Sequence, residues 1–156
     1  MLSKIRQFFD TTIRPESDSA DSATHEHGVR LATAALLMEI GRADTHFASA
    51  ERDAIEAAMQ RVFELSPAET RELVELAQQE VEQATDLYQF TRLVDTEFSA
   101  PDKKHVVELM WRVSMADGHV DKYEEHLVRR IADLLHVSHA DFMHAKHLAA
   151  EASSTR

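Results

Sequence analysis

Cysteine is absent from the 156 residues, which excludes disulfides, thiolate chemistry and Cys-ligated zinc and leaves histidine and carboxylate to supply any site. Glycine and proline are scarce, three of each, too few for the many turns that a sandwich or barrel of short strands requires. Basic residues fall short of acidic ones, 17 against 28. The resulting net charge of −11 repels phosphate backbones. No basic stripe with interleaved aromatics is present, so nucleic acid is not an expected partner. Long apolar runs are missing as well. Nowhere do about 18 apolar residues follow one another, and Met1 to Asp10 lacks the apolar stretch of a signal peptide. A cytoplasmic protein is the expectation.

What the chain has is 44% hydrophobic residues, many of them Ala and Leu, in a length that suits one domain. Such a domain buries roughly 70% of the surface its unfolded chain exposes, so a real core is available and an all-α fold is predicted. The sequence also repeats itself. Ala43-Asp44-Thr45-His46-Phe47, followed by Glu51, returns as Ala116-Asp117-Gly118-His119-Val120, followed by Glu124. Upstream, Leu36-Leu37-Met38 aligns with Leu109-Met110-Trp111 and Ile40 with Val113 at a shift of 73. After the Glu one residue drops out. At a shift of 72, Ile55, Met59, Val62, Phe63, Leu65 and Ser66 meet Leu127, Ile131, Leu134, Leu135, Val137 and Ser138. Two copies are too few for an open solenoid, so the halves are expected to close into one bundle.

Helical periodicity divides the chain further. Leu2, Ile5, Phe8, Phe9 and Ile13 predict an amphipathic helix over 1–14, and the small polar residues of 15–24 predict a flexible linker. With Lys4 and Arg6 beside the apolar face, that first helix could meet a membrane surface, but docking on the domain is the stronger expectation because a short helix with two cations binds lipid weakly. The domain proper spans 25–150, with repeat one over about 25–83, a bridging helix over 86–98 and repeat two over about 99–150. Val29 to Ile40 is apolar on nearly every side, as a helix enclosed by others would be. Ser66-Pro67-Ala68-Glu69 combines an N-cap Ser, a first-turn Pro and a capping-box Glu; Ser138 caps a last helix, and the tail after Glu151 is expected to fray. The outcome is a single compact bundle of about seven or eight helices. Its acidic 64–86 face reads as solvated surface.

Function is sought in the repeated phrase. Asp44 and Asp117 fall at the C-terminal ends of the central helices, where the macrodipole disfavours an anion by about 0.3–1 kcal/mol, and the placement is made twice. One explanation is structural: each Asp makes a turn to later backbone N–H groups, while Glu51 and Glu124 enjoy the first turn of the next helix. The other is a hard-cation site in which carboxylate oxygens and one imidazole gather around a loop and hold Ca²⁺, Mg²⁺, Mn²⁺ or Zn²⁺. Asp117, His119, Asp121 and Glu124 make the fuller set, since the first copy has Ala48 where the second has Asp121. The positions of Gly118 and Glu124 do not fit an EF-hand. His136, His139, His144 and His147 read as exposed histidines rather than ligands, and Arg92 of the bridging helix either pairs with an acid of the repeated phrase or makes a surface ion pair, the two explaining it equally well. Catalysis finds no support: no Glu has a His three places on, and there is no Gly-rich phosphate loop, His-Glu-x-x-His or nucleophile elbow. A binding or sensing module with a protein partner is the first reading, a purely structural adaptor the second and a metal-dependent hydrolase the third.

Ala-Asp-Gly with an apolar residue and a Glu seven places after the Asp, used twice in a helical chain, resembles the tellurite-resistance protein TerB over about residues 27–150. Leu36-Leu37-Met38-Glu39, Tyr88-Gln89-Phe90-Thr91-Arg92, Trp111-Arg112-Val113, Tyr123-Glu124-Glu125-His126-Leu127 and Ala132-Asp133-Leu134-Leu135-His136-Val137 are similar to TerB-like bacterial proteins. The resemblance implies a bundle of about seven helices, an association with stress and metal-oxyanion resistance systems, and acidic clusters that bind divalent cations. By position its signature acids are Asp44, Glu51, Asp117 and Glu124. Thr45 stands where the family pattern has Gly.

Overall fold

The computed structural model describes residues 4–13, 22–43, 49–83, 89–116 and 122–154. Among them are eight α-helices and no strand: α1 (Lys4–Phe8), α2 (Ser22–Ala43), α3 (Ser49–Phe63), α4 (Pro67–Gln83), α5 (Gln89–Glu97), α6 (Ala100–Met115), α7 (Lys122–Leu134) and α8 (His139–Ser154). A π-helical turn, Phe9–Ile13, continues α1. The expected all-α bundle is what the chain forms. Two limits differ from the sequence reading. α2 begins at Ser22, inside the stretch assigned to a linker, whose residues 15–21 lie outside those described. α8 runs past Glu151 to Ser154.

The two central helices are α2 and α6, and burial explains their lack of a polar face. Every residue from Leu31 to Ile40 is buried, and so is Val106 to Trp111. Within α2, Thr33 is accommodated by donating its hydroxyl to the Val29 carbonyl at 2.8 Å. α4 packs on α2, and α8 packs on α6, at matching places of the two repeats. Between α6 and α8, Trp111 meets Phe142 edge-on with ring centroids 5.4 Å apart, and Lys146 Nζ lies 5.0 Å from the Trp111 ring. Contacts of this kind add about 0.5–1.5 kcal/mol each to the area buried. Ile5, Phe8 and Phe9 of the N-terminal segment belong to the same core. Phe8 packs edge-on against Phe90, and Phe9 packs against Phe98.

Candidate functional site

The connections from α3 to α4 and from α7 to α8 close in the same way in the two repeats. After α3, Glu64 takes φ 56° and Leu65 N–H donates to the Gln60 carbonyl at 3.1 Å; after α7, His136 takes φ 62° and Val137 N–H donates to the Ala132 carbonyl at 3.0 Å. These are the same Schellman closures, 72 residues apart. The caps that follow match as well. Ser66 Oγ accepts from Glu69 N–H at 3.1 Å while Glu69 Oε1 accepts from Ser66 N–H at 2.9 Å, and Ser138 Oγ accepts from Asp141 N–H at 3.2 Å. The acidic phrase of each repeat lies earlier in the chain, between α2 and α3 and between α6 and α7. α2 ends at Ala43, and α6 ends at Met115 with Ala116 as its C-cap, whose N–H donates to the Val113 carbonyl. Glu51 and Glu124 lie in the first turns of α3 and α7, where the positive end of the helix dipole favours a carboxylate. Glu124 is half-buried. Asp44, Asp117, His119 and Asp121, and the side chain of Glu51, lie outside the described residues.

Around the starts of the central helices is a polar network that no sequence motif announced. His105 Nε2 lies 2.8 Å from Glu26 Oε1 and its Nδ1 3.4 Å from Glu108 Oε1, so the ring bridges α2 and a second carboxylate of its own helix. Arg30 donates to Glu26 at 3.0 Å and Arg112 donates to Glu108, which places a guanidinium at each end. His25 meets Asp102 at 3.1 Å and His27 meets Glu69 at 2.7 Å. Contacts between His25 and Asp102 and between Glu26 and His105 set the beginnings of α2 and α6 side by side, which an antiparallel pair would not allow. Sequence separations of 77 and 79 residues hid these partners from local pattern reading. Among the described residues no group of three or more His, Asp or Glu is arranged to hold a metal ion.

Two carboxylates outside the acidic phrases brace the bundle electrostatically. Asp95 of α5 accepts from Lys103 Nζ at 2.8 Å and lies 3.0 Å from His136 Nδ1, tying α5 to the start of α6 and the end of α7. Burial pushes its carboxyl up, but the hydrogen bonds and charges of Lys103 and His136 outweigh that and hold it below its ordinary value. Burial likewise pushes Glu69 up, and the His27 hydrogen bond, the Ser66 N–H, the His27 charge and the Ser66 hydroxyl together bring it below its ordinary value. The four histidines near the C-terminus are all exposed. His136 spends its ring on Asp95, His144 Nδ1 accepts from Lys104 Nζ at 2.6 Å, and His139 stacks on Phe142.

The repeated helix–acid corner–helix arrangement, with a second repeated corner behind it, accords with the sequence profile of the family described as Tellurite resistance protein TerB, which matches residues 30–147. The chain belongs to the TerB family. That match starts inside α2 and ends inside α8, so the TerB domain comprises the central helices and their repeats, whereas α1 and the π-helical turn lie before it. No curated protein and no solved structure matches the chain. No helix among the described residues is long and apolar enough to cross a membrane.

Proposed function

We propose that this TerB-family protein is a non-enzymatic binding or sensing module that takes up a divalent cation at the α6–α7 corner and passes the change to a protein partner. Asp117, His119, Asp121 and Glu124 are the donors of that site, with Asp44 and Glu51 as the reduced counterpart between α2 and α3. One observation carries the reading: in both repeats the negative end of a buried central helix runs straight into the acidic phrase, and a carboxylate opens the next helix. A helix C-terminus and clustered carboxylates attract the same charge, so a cation relieves a repulsion that the fold otherwise builds in twice. Oxygen donors favour Ca²⁺, Mg²⁺ or Mn²⁺, and participation of the imidazole would shift preference toward Zn²⁺. By family, such a module belongs with bacterial stress and metal-resistance systems. The test is a titration of the full chain with each cation, followed by backbone amide shifts. Changes confined to 117–124 and lost in Asp117→Ala are expected. If no amide moves at millimolar cation, the cation is dropped and a structural adaptor remains.

A further inference from the structure

The N-terminal segment stands apart from the domain it covers. It lies wholly before the family match at 30–147, and eight residues, 14–21, rich in Ser and Asp, join Ile13 to Ser22. Yet it supplies three large side chains to the core, with Phe9 fully buried and Ile5 and Phe8 nearly so. Its ring contacts are with Phe90 and Phe98 at either end of α5, and its π-helical turn rests on α2. Two of its hydrogen bonds close within the segment, Arg6 Nε to Asp10 and Thr11 Oγ1 to the Gln7 carbonyl. Charge separates it as well. The segment 4–13 carries two cations against one acid, Asp10, while the rest of the chain carries 15 cations against 27 acids. An amphipathic segment of weak positive charge therefore sits in an apolar groove of an anionic body, and its Ile5, Phe8 and Phe9 make non-directional contacts that do not depend on which chain delivers them.

We propose that the groove between α2 and α5 is an exchangeable docking site, and that its second occupant is the N-terminal segment of another copy of this chain. The sequence shown to fit the groove is 4–13 itself, so a second copy offers the same Ile5, Phe8 and Phe9 and the same two cations. Eight connecting residues reach about 26–29 Å when extended, enough for the segment to leave its own groove, and exchange of an identical element is a low-cost route to a dimer. A tethered segment competes at an effective concentration of the order of 1 mM, so exchange is read near that protein concentration. Equal amounts of full-length Phe8→Cys and Phe90→Cys chains are mixed and oxidised; with no native cysteine, the expected product is a covalent heterodimer in excess over both homodimers. Homodimers in equal yield, or monomers alone, overturn the proposal. The unmodified chain gives an independent reading whatever the variants do. A synthetic peptide of residues 1–14 at about 1 mM should shift the amides of Gln89–Glu97, and a scrambled peptide of equal charge should not. No shift, or equal shifts from both peptides, removes the docking site.

Discussion

At the residue scale, the two left-handed positions show how far the repeat reaches into the backbone. Glu64 and His136 hold φ values of 56° and 62° without being glycine, a conformation that costs an ordinary residue roughly 1–2 kcal/mol. Their side chains differ in what they return. Glu64 is 84% exposed and lies 3.8 Å from Arg30, an ion pair of little value in water. His136 bonds Asp95 at 3.0 Å. Glu64→Gly is therefore expected to stabilise the protein by about 1 kcal/mol in urea denaturation, and His136→Gly by less, because it also removes a partner of Asp95. A Glu64→Gly variant no more stable than the parent would show that the strain is relieved elsewhere. The serine caps at Ser66 and Ser138 were legible in the sequence since their hydrogen bonds reach only three residues on, as does that of Ser99 at the start of α6. The left-handed residues were not legible, because no glycine marks them.

At the scale of elements, α5 is placed by a residue 50 positions away from it. Glu39 of α2 is 4% exposed and accepts from Phe90 N–H at 2.8 Å, Thr91 N–H at 3.0 Å and the Thr91 hydroxyl at 2.6 Å. A buried carboxylate at the N-terminus of a helix satisfies two donors that the helix cannot and meets the positive end of its dipole. Glu39→Ala leaves those donors buried and unmatched, with an expected loss of about 2–4 kcal/mol, and Glu39→Gln, which keeps an acceptor, loses less. Chemical denaturation orders the two variants, and equal losses would mean that packing rather than the carboxylate holds α5. Periodicity alone predicted a bridging helix over 86–98, and in α5 Phe90 and Val94 are buried. It had no means of naming the cap. In repeat two the aligned position is Arg112, which instead donates to Glu108 four residues earlier, so the repeats share apolar registers while their polar partners differ.

At the scale of the whole molecule, three elements converge on Asp95 and two on Glu69, and both carboxyls titrate below their ordinary values of 3.8 and 4.5. A depressed carboxylate adds stability that is complete above its unfolded value and is lost as pH falls through the folded one. The fold should therefore weaken as pH drops below about 4.5, with Asp95→Asn less stable at neutral pH but losing less on acidification. Parallel acid profiles for the parent and Asp95→Asn, followed by circular dichroism, would place the acid sensitivity elsewhere. Composition, apolar spacing and the doubled phrase were enough to determine an all-α bundle of two repeats, the capped starts of α4 and α8 and the family, because those rest on forces acting within a few residues and on a pattern printed twice. Tertiary structure alone decided which carboxylate meets which histidine, that Glu39 opens α5, and that the N-terminal segment fills the α2–α5 groove. The physical reason is distance along the chain: partners separated by 40 to 80 residues are brought together by burial of the central helices, and no local rule of spacing encodes that meeting.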